Sequence, residues 1–142
     1  MTEVQKVIGL MSGTSLDGVD AAILETDGEA RAITGPALTI PYDATTGAML
    51  RAAIGEAREA AFGAPASPSI RDAERRLTEA HAEGVQALLA KAGLTSAEIG
   101  LIGFPGQTIL HRPEQGWTWQ IGDGALLARL TGLDGVNDFR SA

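Results

Sequence analysis

The chain has 142 residues, 44% hydrophobic and 20% charged, with a formal net charge of −7 at neutral pH. That length and balance suit one globular domain and exclude a disordered or membrane-embedded chain; the acidity argues against nucleic acid, whose binding rests on Lys and Arg neutralising phosphates. Cysteine is absent, which excludes a disulfide framework and a thiolate metal site and fits a reducing, cytoplasmic compartment. No apolar run approaches the roughly 20 residues of a membrane span, and the one at 7–11 is too short for a signal-peptide core.

Residues 4–11 and 19–25 read as two strands, and Asp27, Gly28 and Glu29 signal the next turn. Residues 30–41 predict a third strand, bent where Gly35 and Pro36 interrupt it, which completes an antiparallel meander. Asp43 predicts the cap of a helix reaching residue 61, with Met49, Leu50, Ala53, Ile54 and Ala57 on one face. Gly63, Pro65 and Pro68 make the connector that follows. A longer helix is predicted over 69–92, its stripe running through Ala73, Leu77, Ala80, Gly84, Val85, Leu88 and Leu89, with Gly93 as its stop.

After a capped turn at 95–98, residues 99–104 predict a strand buried on both faces. Residues 106–108 predict a turn, and 109–111 and 117–121 pair across a hairpin loop at 113–116. Asp123 starts a helix over 125–130 that Gly132 stops, and 136–139 is the last predicted strand. There is no internal repeat.

Between the first two strands stand Ser12, Gly13, Thr14, Ser15, Leu16, Asp17 and Gly18, and Val19 and Asp20 open the second strand. Glycine at 13 and 18 predicts positive φ and close backbone approach to a ligand. A small-residue loop rich in N–H and O–H donors, followed by carboxylates, can cradle a nucleotide phosphate and its metal; the same residue types serve a plain hairpin turn. The P-loop lysine is missing, so phosphate charge would fall to backbone N–H groups, hydroxyls and Mg²⁺. Asp17 or Asp20 can hold that ion through its water shell, or cap the turn.

A serine hydrolase built on Ser12 or Ser15 with His81 or His111 is disfavoured, because Gly-x-Ser-x-Gly is absent and His81 falls inside the long helix. Gln107 and Thr108 carry amide and hydroxyl groups suited to sugar hydroxyls, or to stabilising their own turn. Asp123 most simply caps a helix. Trp117 and Trp119 share one strand face, where packing is favoured over sugar stacking.

The segment 13–20, followed in order by Gly106, Gln107 and Thr108, by Gln120, Ile121, Gly122 and Asp123, and by Asn137, Asp138, Phe139, Arg140 and Ser141, resembles the anhydro-N-acetylmuramic acid kinase family. The resemblance implies an α/β, actin-like and ribonuclease-H-like ATPase domain, a mixed sheet flanked by helices. Family members are more than twice as long, so residues 1–142 resemble the N-terminal phosphate- and sugar-binding domain, with the adenosine-binding domain outside it.

It further implies that Gly13, Thr14, Ser15, Leu16, Asp17, Gly18, Val19 and Asp20 face ATP, with Asp17 and Asp20 near Mg²⁺. Gln107, Thr108, Gln120, Asp123 and Arg140 would face the sugar. Asp138 would be the base that activates water for attack on the anomeric carbon of 1,6-anhydro-N-acetylmuramic acid, freeing O6 to take the γ-phosphoryl group. The partners implied are this small-molecule substrate and ATP, in peptidoglycan recycling, with a homodimer left open.

Two departures stand out: Pro105 replaces the usual histidine, and Gly135 stands where a branched apolar residue is expected, forgoing about 1.5–3 kcal/mol of side-chain burial. The rivals are another actin-like sugar kinase or ATPase, and a non-catalytic binding domain. The 142-residue chain alone is expected to be inactive as a kinase.

Overall fold

The computed structural model describes residues 4–13, 15–30 and 32–137. In chain order it holds β1 (Gln5–Met11), β2 (Gly18–Thr26), β3 (Ala32–Pro41), α1 (Ala44–Glu59), α2 (Pro68–Ala92), β4 (Leu101–Phe104), β5 (Gln107–Arg112), β6 (Trp117–Ile121), α3 (Gly124–Thr131) and β7 (Gly135–Asn137). Five strands form a mixed sheet in the order β3-β2-β1-β4-β7. The meander β1-β2-β3 is antiparallel, whereas β4 and β7 run parallel to β1. The last strand thus lies at the opposite edge from β3.

Local chemistry explains the boundaries. Gly35 and Pro36 both fall opposite Ile23, a bulge that gives β3 its bend. Asp43 accepts the Thr46 N–H to cap α1, Ser67 accepts the Ile70 N–H to cap α2, and Gly93 ends α2 at φ 69°. Pro68 fits the first turn of α2, where its missing N–H costs nothing.

Several expected spans change: α1 stops at Glu59 rather than 61, α2 starts at Pro68 rather than 69, and β7 starts at Gly135 rather than 136. The strand predicted over 99–104 starts only at Leu101, because the Ile99 N–H closes a 3-10 turn onto Ser96 and is unavailable to a neighbour. The turn predicted at 106–108 contracts to Gly106, so Gln107 and Thr108 already belong to β5. Among the described residues β5 and β6 pair only with each other and form a separate two-stranded sheet.

Helix α2 joins two cores. Its C-terminal half packs Ala80, Val85, Leu88 and Leu89 against Ile8, Leu10, Val19, Ile23, Ile102 and Phe104 of the sheet. Its N-terminal half packs Ile70, Ala73 and Leu77 with Leu50, Ala53 and Ala57 of α1 and Ile109, Leu110 and Ile121 of the hairpin. At 1.5 Å per residue a helix of this length runs about 37 Å, enough to serve both. On β4, Ile102 and Phe104 are buried and Leu101 and Gly103 only half-buried, so burial on both faces, as expected, is not found.

Candidate active site

Strands β1, β4 and β7 are parallel, so their C-terminal ends share one edge of the sheet, the edge where open α/β sheets place ligands. The segment after β1 is the candidate phosphate loop. Its geometry differs from the expectation that Gly13 and Gly18 supply the positive φ: that conformation falls instead on Leu16, at φ 57°. A leucine there is a backbone outlier costing on the order of 1–3 kcal/mol. Its half-buried side chain packs against the hairpin and α1 core, which holds the strained turn in place. The Leu16 N–H closes the turn onto the Gly13 carbonyl at 3.2 Å.

Gly18 is required for a different reason from the one expected. A Cβ on it would meet the Ile40 carbonyl oxygen at 2.2 Å, whereas a Cβ on Gly13 would come no closer than 4.0 Å to its nearest neighbour, Ser15 Oγ. Among the described residues Gly13 therefore keeps open space that a ligand can approach. Ser15, Asp17 and Asp20 are exposed, and Val19 is buried in the sheet core. Thr14 lies outside the described residues.

A buried polar unit ties the loop to the hairpin. Ser12 Oγ donates to Gln107 Oε1, and Tyr42 Oη lies 2.5 Å from Ser12 Oγ. Because the serine proton is committed to an oxygen that can only accept, the phenol is the donor of the second bond. Gln107 is fully buried, and its Nε2 donates to the Thr108 carbonyl at 3.2 Å. Burial pushes the Tyr42 phenol up to about 12, so it stays protonated. The Tyr42 N–H also donates to the Asp17 carbonyl at 3.0 Å, so one residue holds both ends of the loop.

The start of α3 reaches the same place. Gly106, at φ 77°, has no room for a Cβ, which would meet the Ile121 carbonyl oxygen at 2.4 Å. Gln120 Nε2 donates to the Pro105 carbonyl at 2.6 Å. Asp123 caps α3 by accepting the Leu126 N–H at 3.0 Å. Two α2 side chains clamp the segment from behind. Glu74 Oε2 accepts the Gly122 N–H at 2.9 Å, and Thr78 Oγ1 accepts the Asp123 N–H at 3.0 Å.

Thus Gly13, residues 15–20, Gln107, Thr108, Gln120 and Asp123 gather on connected segments. Gln107 is inside the protein, linking those segments; Thr108, Gln120 and Asp123 are half-buried. Asp138 and Arg140 lie outside the described residues, although β7 ends at Asn137 on the same sheet edge.

Asp17 and Asp20 offer two carboxylates, and Thr39 Oγ1 donates to one oxygen of Asp20 at 2.5 Å. No group of three or more His, Cys, Asp or Glu gathers to hold a metal among the described residues. Few carboxylates beside a phosphate loop suit Mg²⁺, which keeps waters and takes phosphate oxygens.

The other candidates have structural partners. His81 is fully buried, with Nδ1 2.8 Å from the Leu77 carbonyl and its ring centroid 4.9 Å from that of Phe104. His111 Nδ1 lies 2.8 Å from Thr118 Oγ1. Trp117 and Trp119 stack at 5.6 Å and pack half-buried on the hairpin core.

Sequence reasoning missed Tyr42, Glu74 and Thr78. The signals were a single tyrosine placed just before the Asp43 cap, and a polar pair four residues apart beside the stripe of α2.

Comparison with known proteins decides the family. The anhydro-N-acetylmuramic acid kinase model matches residues 5–142. The chain belongs to the anhydro-N-acetylmuramic acid kinase family. Similar proteins bearing that name come from Rhizorhabdus wittichii, 51% identical over 95% of this chain and 37% of the relative, and from Azorhizobium caulinodans, 49% identical over 96% and 37%. A third, from Methylobacterium nodulans, is 47% identical over 96% of this chain and 39% of the relative. The chain therefore spans little more than a third of the length of the anhydro-N-acetylmuramic acid kinases it matches. The sheet order and helices are those of the actin-like, ribonuclease-H-like ATPase fold expected of this family. No helix among the described residues is long and apolar enough to cross a membrane.

Proposed function

We propose that this chain is the phosphate- and sugar-binding domain of an ATP-dependent kinase that converts 1,6-anhydro-N-acetylmuramic acid to N-acetylmuramic acid 6-phosphate in the cytoplasm, as part of peptidoglycan recycling. The observation that carries the reading is the fastening of the loop after β1 to Gln107, beside the C-terminal ends of the parallel strands, in a chain matching the family over residues 5–142.

In this reading the open face at Gly13 lets backbone N–H groups reach the phosphates, with Ser15 adding a hydroxyl. Asp17 and Asp20 would hold Mg²⁺ through its waters, and the ion would neutralise charge on the transferring phosphoryl group. Thr108, Gln120, Asp123 and Arg140 orient the sugar, and Gln107 sets the position of β5 from inside. Asp138 takes a proton from the water attacking the anomeric carbon; the bond from that carbon to the bridging oxygen breaks, and O6 receives the phosphoryl group. A domain beyond residue 142 supplies the adenosine site, so residues 1–142 alone do not turn over.

The test is sugar-dependent ADP release by a full-length protein carrying this chain, compared with the same protein bearing Asp138→Asn. Loss of about 10²–10⁴-fold in rate with both ligands still bound is expected. A retained rate moves the base elsewhere, and ADP release without need of the anhydro sugar sinks the substrate assignment.

A further inference from the structure

Ser12 and Gln107 are separated by 95 positions in sequence, yet one buried hydrogen bond joins them, and Tyr42 closes the unit from the β3 side. None of the three groups can be released at no cost. The Ser12 hydroxyl has one proton, Gln107 is fully buried, and Tyr42 packs against both apolar cores, so an orphaned polar atom here is penalised. Tyr42 packs against both cores of the molecule, so it is a fixed post rather than a follower of the loop. Its N–H holds the loop's exit at Asp17 while its hydroxyl holds the entry at Ser12. From Gln107 the connection continues, since Gln107 pairs with Ile121 and the next residue, Gly122, is clamped by Glu74.

We infer that Ser12 and Tyr42 are positioning residues that couple the phosphate loop to the sugar-facing segments, so that nucleotide and sugar bind with positive cooperativity. This rests on reading the loop as the nucleotide site. The coupling requires a second state, with the loop released from Gln107, that holds most of the population before either ligand binds. The first ligand to bind bears the ordering cost and spares the second. By linkage the effect is reciprocal.

The experiment is calorimetric titration of a full-length protein carrying this chain with a non-hydrolysable ATP analogue, with and without saturating anhydro-N-acetylmuramic acid. It is run on the wild type, on Tyr42→Phe, which keeps the ring, and on Ser12→Ala, with circular dichroism to confirm folding. In the wild type the sugar is expected to tighten nucleotide binding about 5-fold or more, within the usual range of coupling. In the variants the factor falls towards 1 while each ligand still binds alone. A wild-type factor of 1, or variants that keep the wild-type factor, overturns the inference. Failure of the wild type to bind the analogue at all overturns the nucleotide reading itself, and the coupling with it.

Discussion

A Cβ on Gly18 would stand 2.2 Å from the carbonyl oxygen of Ile40, so β2 and β3 approach too closely there for any side chain. Gly13, in the same loop, has no such neighbour among the described residues. The two glycines therefore separate fold from binding. Gly18→Ala is expected to destabilise the protein by at least about 1–3 kcal/mol through overpacking against backbone. Gly13→Val is expected to leave the melting temperature nearly unchanged while weakening nucleotide binding by roughly tenfold or more, since each 1.4 kcal/mol of lost contact is a factor of ten. Thermal melts and nucleotide titration distinguish them, and unchanged nucleotide affinity in Gly13→Val removes the loop from the nucleotide site.

His81 gives the domain a stability that depends on pH. Burial pulls its pKa down to about 4, only partly opposed by the bond to Leu77, and Nε2 has no hydrogen-bond partner among the described residues. Between the ordinary histidine value of about 6.5 and that depressed value, the unfolded chain binds the proton and the folded one does not. Stability is therefore fully present above about pH 6.5, declines as pH falls towards 4, and loses on the order of a few kcal/mol across that window. His81→Leu should flatten this part of the profile in urea unfolding followed from pH 7 to 4. An unaltered slope would assign the acid sensitivity to carboxylates.

Thr78 is fully buried and does two things at once: it donates to the Glu74 carbonyl at 2.8 Å and accepts the Asp123 N–H at 3.0 Å. Thr78→Val keeps the shape and orphans that N–H, at a cost of about 1–3 kcal/mol. Amide exchange at Asp123 should quicken with it. Unchanged protection would show that α3 starts correctly without the clamp.

Gly135 was expected to loosen the last strand by forgoing side-chain burial. Among the described residues a Cβ there would meet only the Ile102 carbonyl oxygen, at an ordinary 3.6 Å, and its φ is not positive. Gly135→Ala is accordingly expected to stabilise the protein by about 0.4–1 kcal/mol, chiefly by restricting the unfolded chain. A lowered melting temperature would mean that β7 needs glycine at this point.

Much of this architecture is legible before any coordinates are seen. Asp43, Asp123, Gly93 and Gly132 mark helix ends because capping is local chemistry, decided within four residues, whereas Ser67, in the stretch read as a connector, proves to be the cap of α2. The bend at Gly35 and Pro36 is legible for the same reason. What stays hidden is non-local. No periodicity says that Ser12 reaches Gln107, that Glu74 takes the Gly122 N–H, or that β5 and β6 form a sheet of their own. The glycines of the loop mislead: the residue type suggests positive φ, but tertiary packing puts that strain on Leu16 and makes Gly18 a matter of strand spacing. The sheet order, with β7 at the far edge, follows from family resemblance and not from the apolar pattern.

The most direct measurement of the central claim is the fate of the oxygen atoms in the reaction of a full-length protein carrying this chain, run with ATP, Mg²⁺ and 1,6-anhydro-N-acetylmuramic acid in heavy-oxygen water. The account predicts one solvent oxygen on the anomeric carbon and the phosphoryl group on O6 of the same product, read by mass spectrometry and phosphorus NMR. A phosphorylated sugar with its anhydro bridge intact, or a product without solvent oxygen at the anomeric carbon, would contradict it.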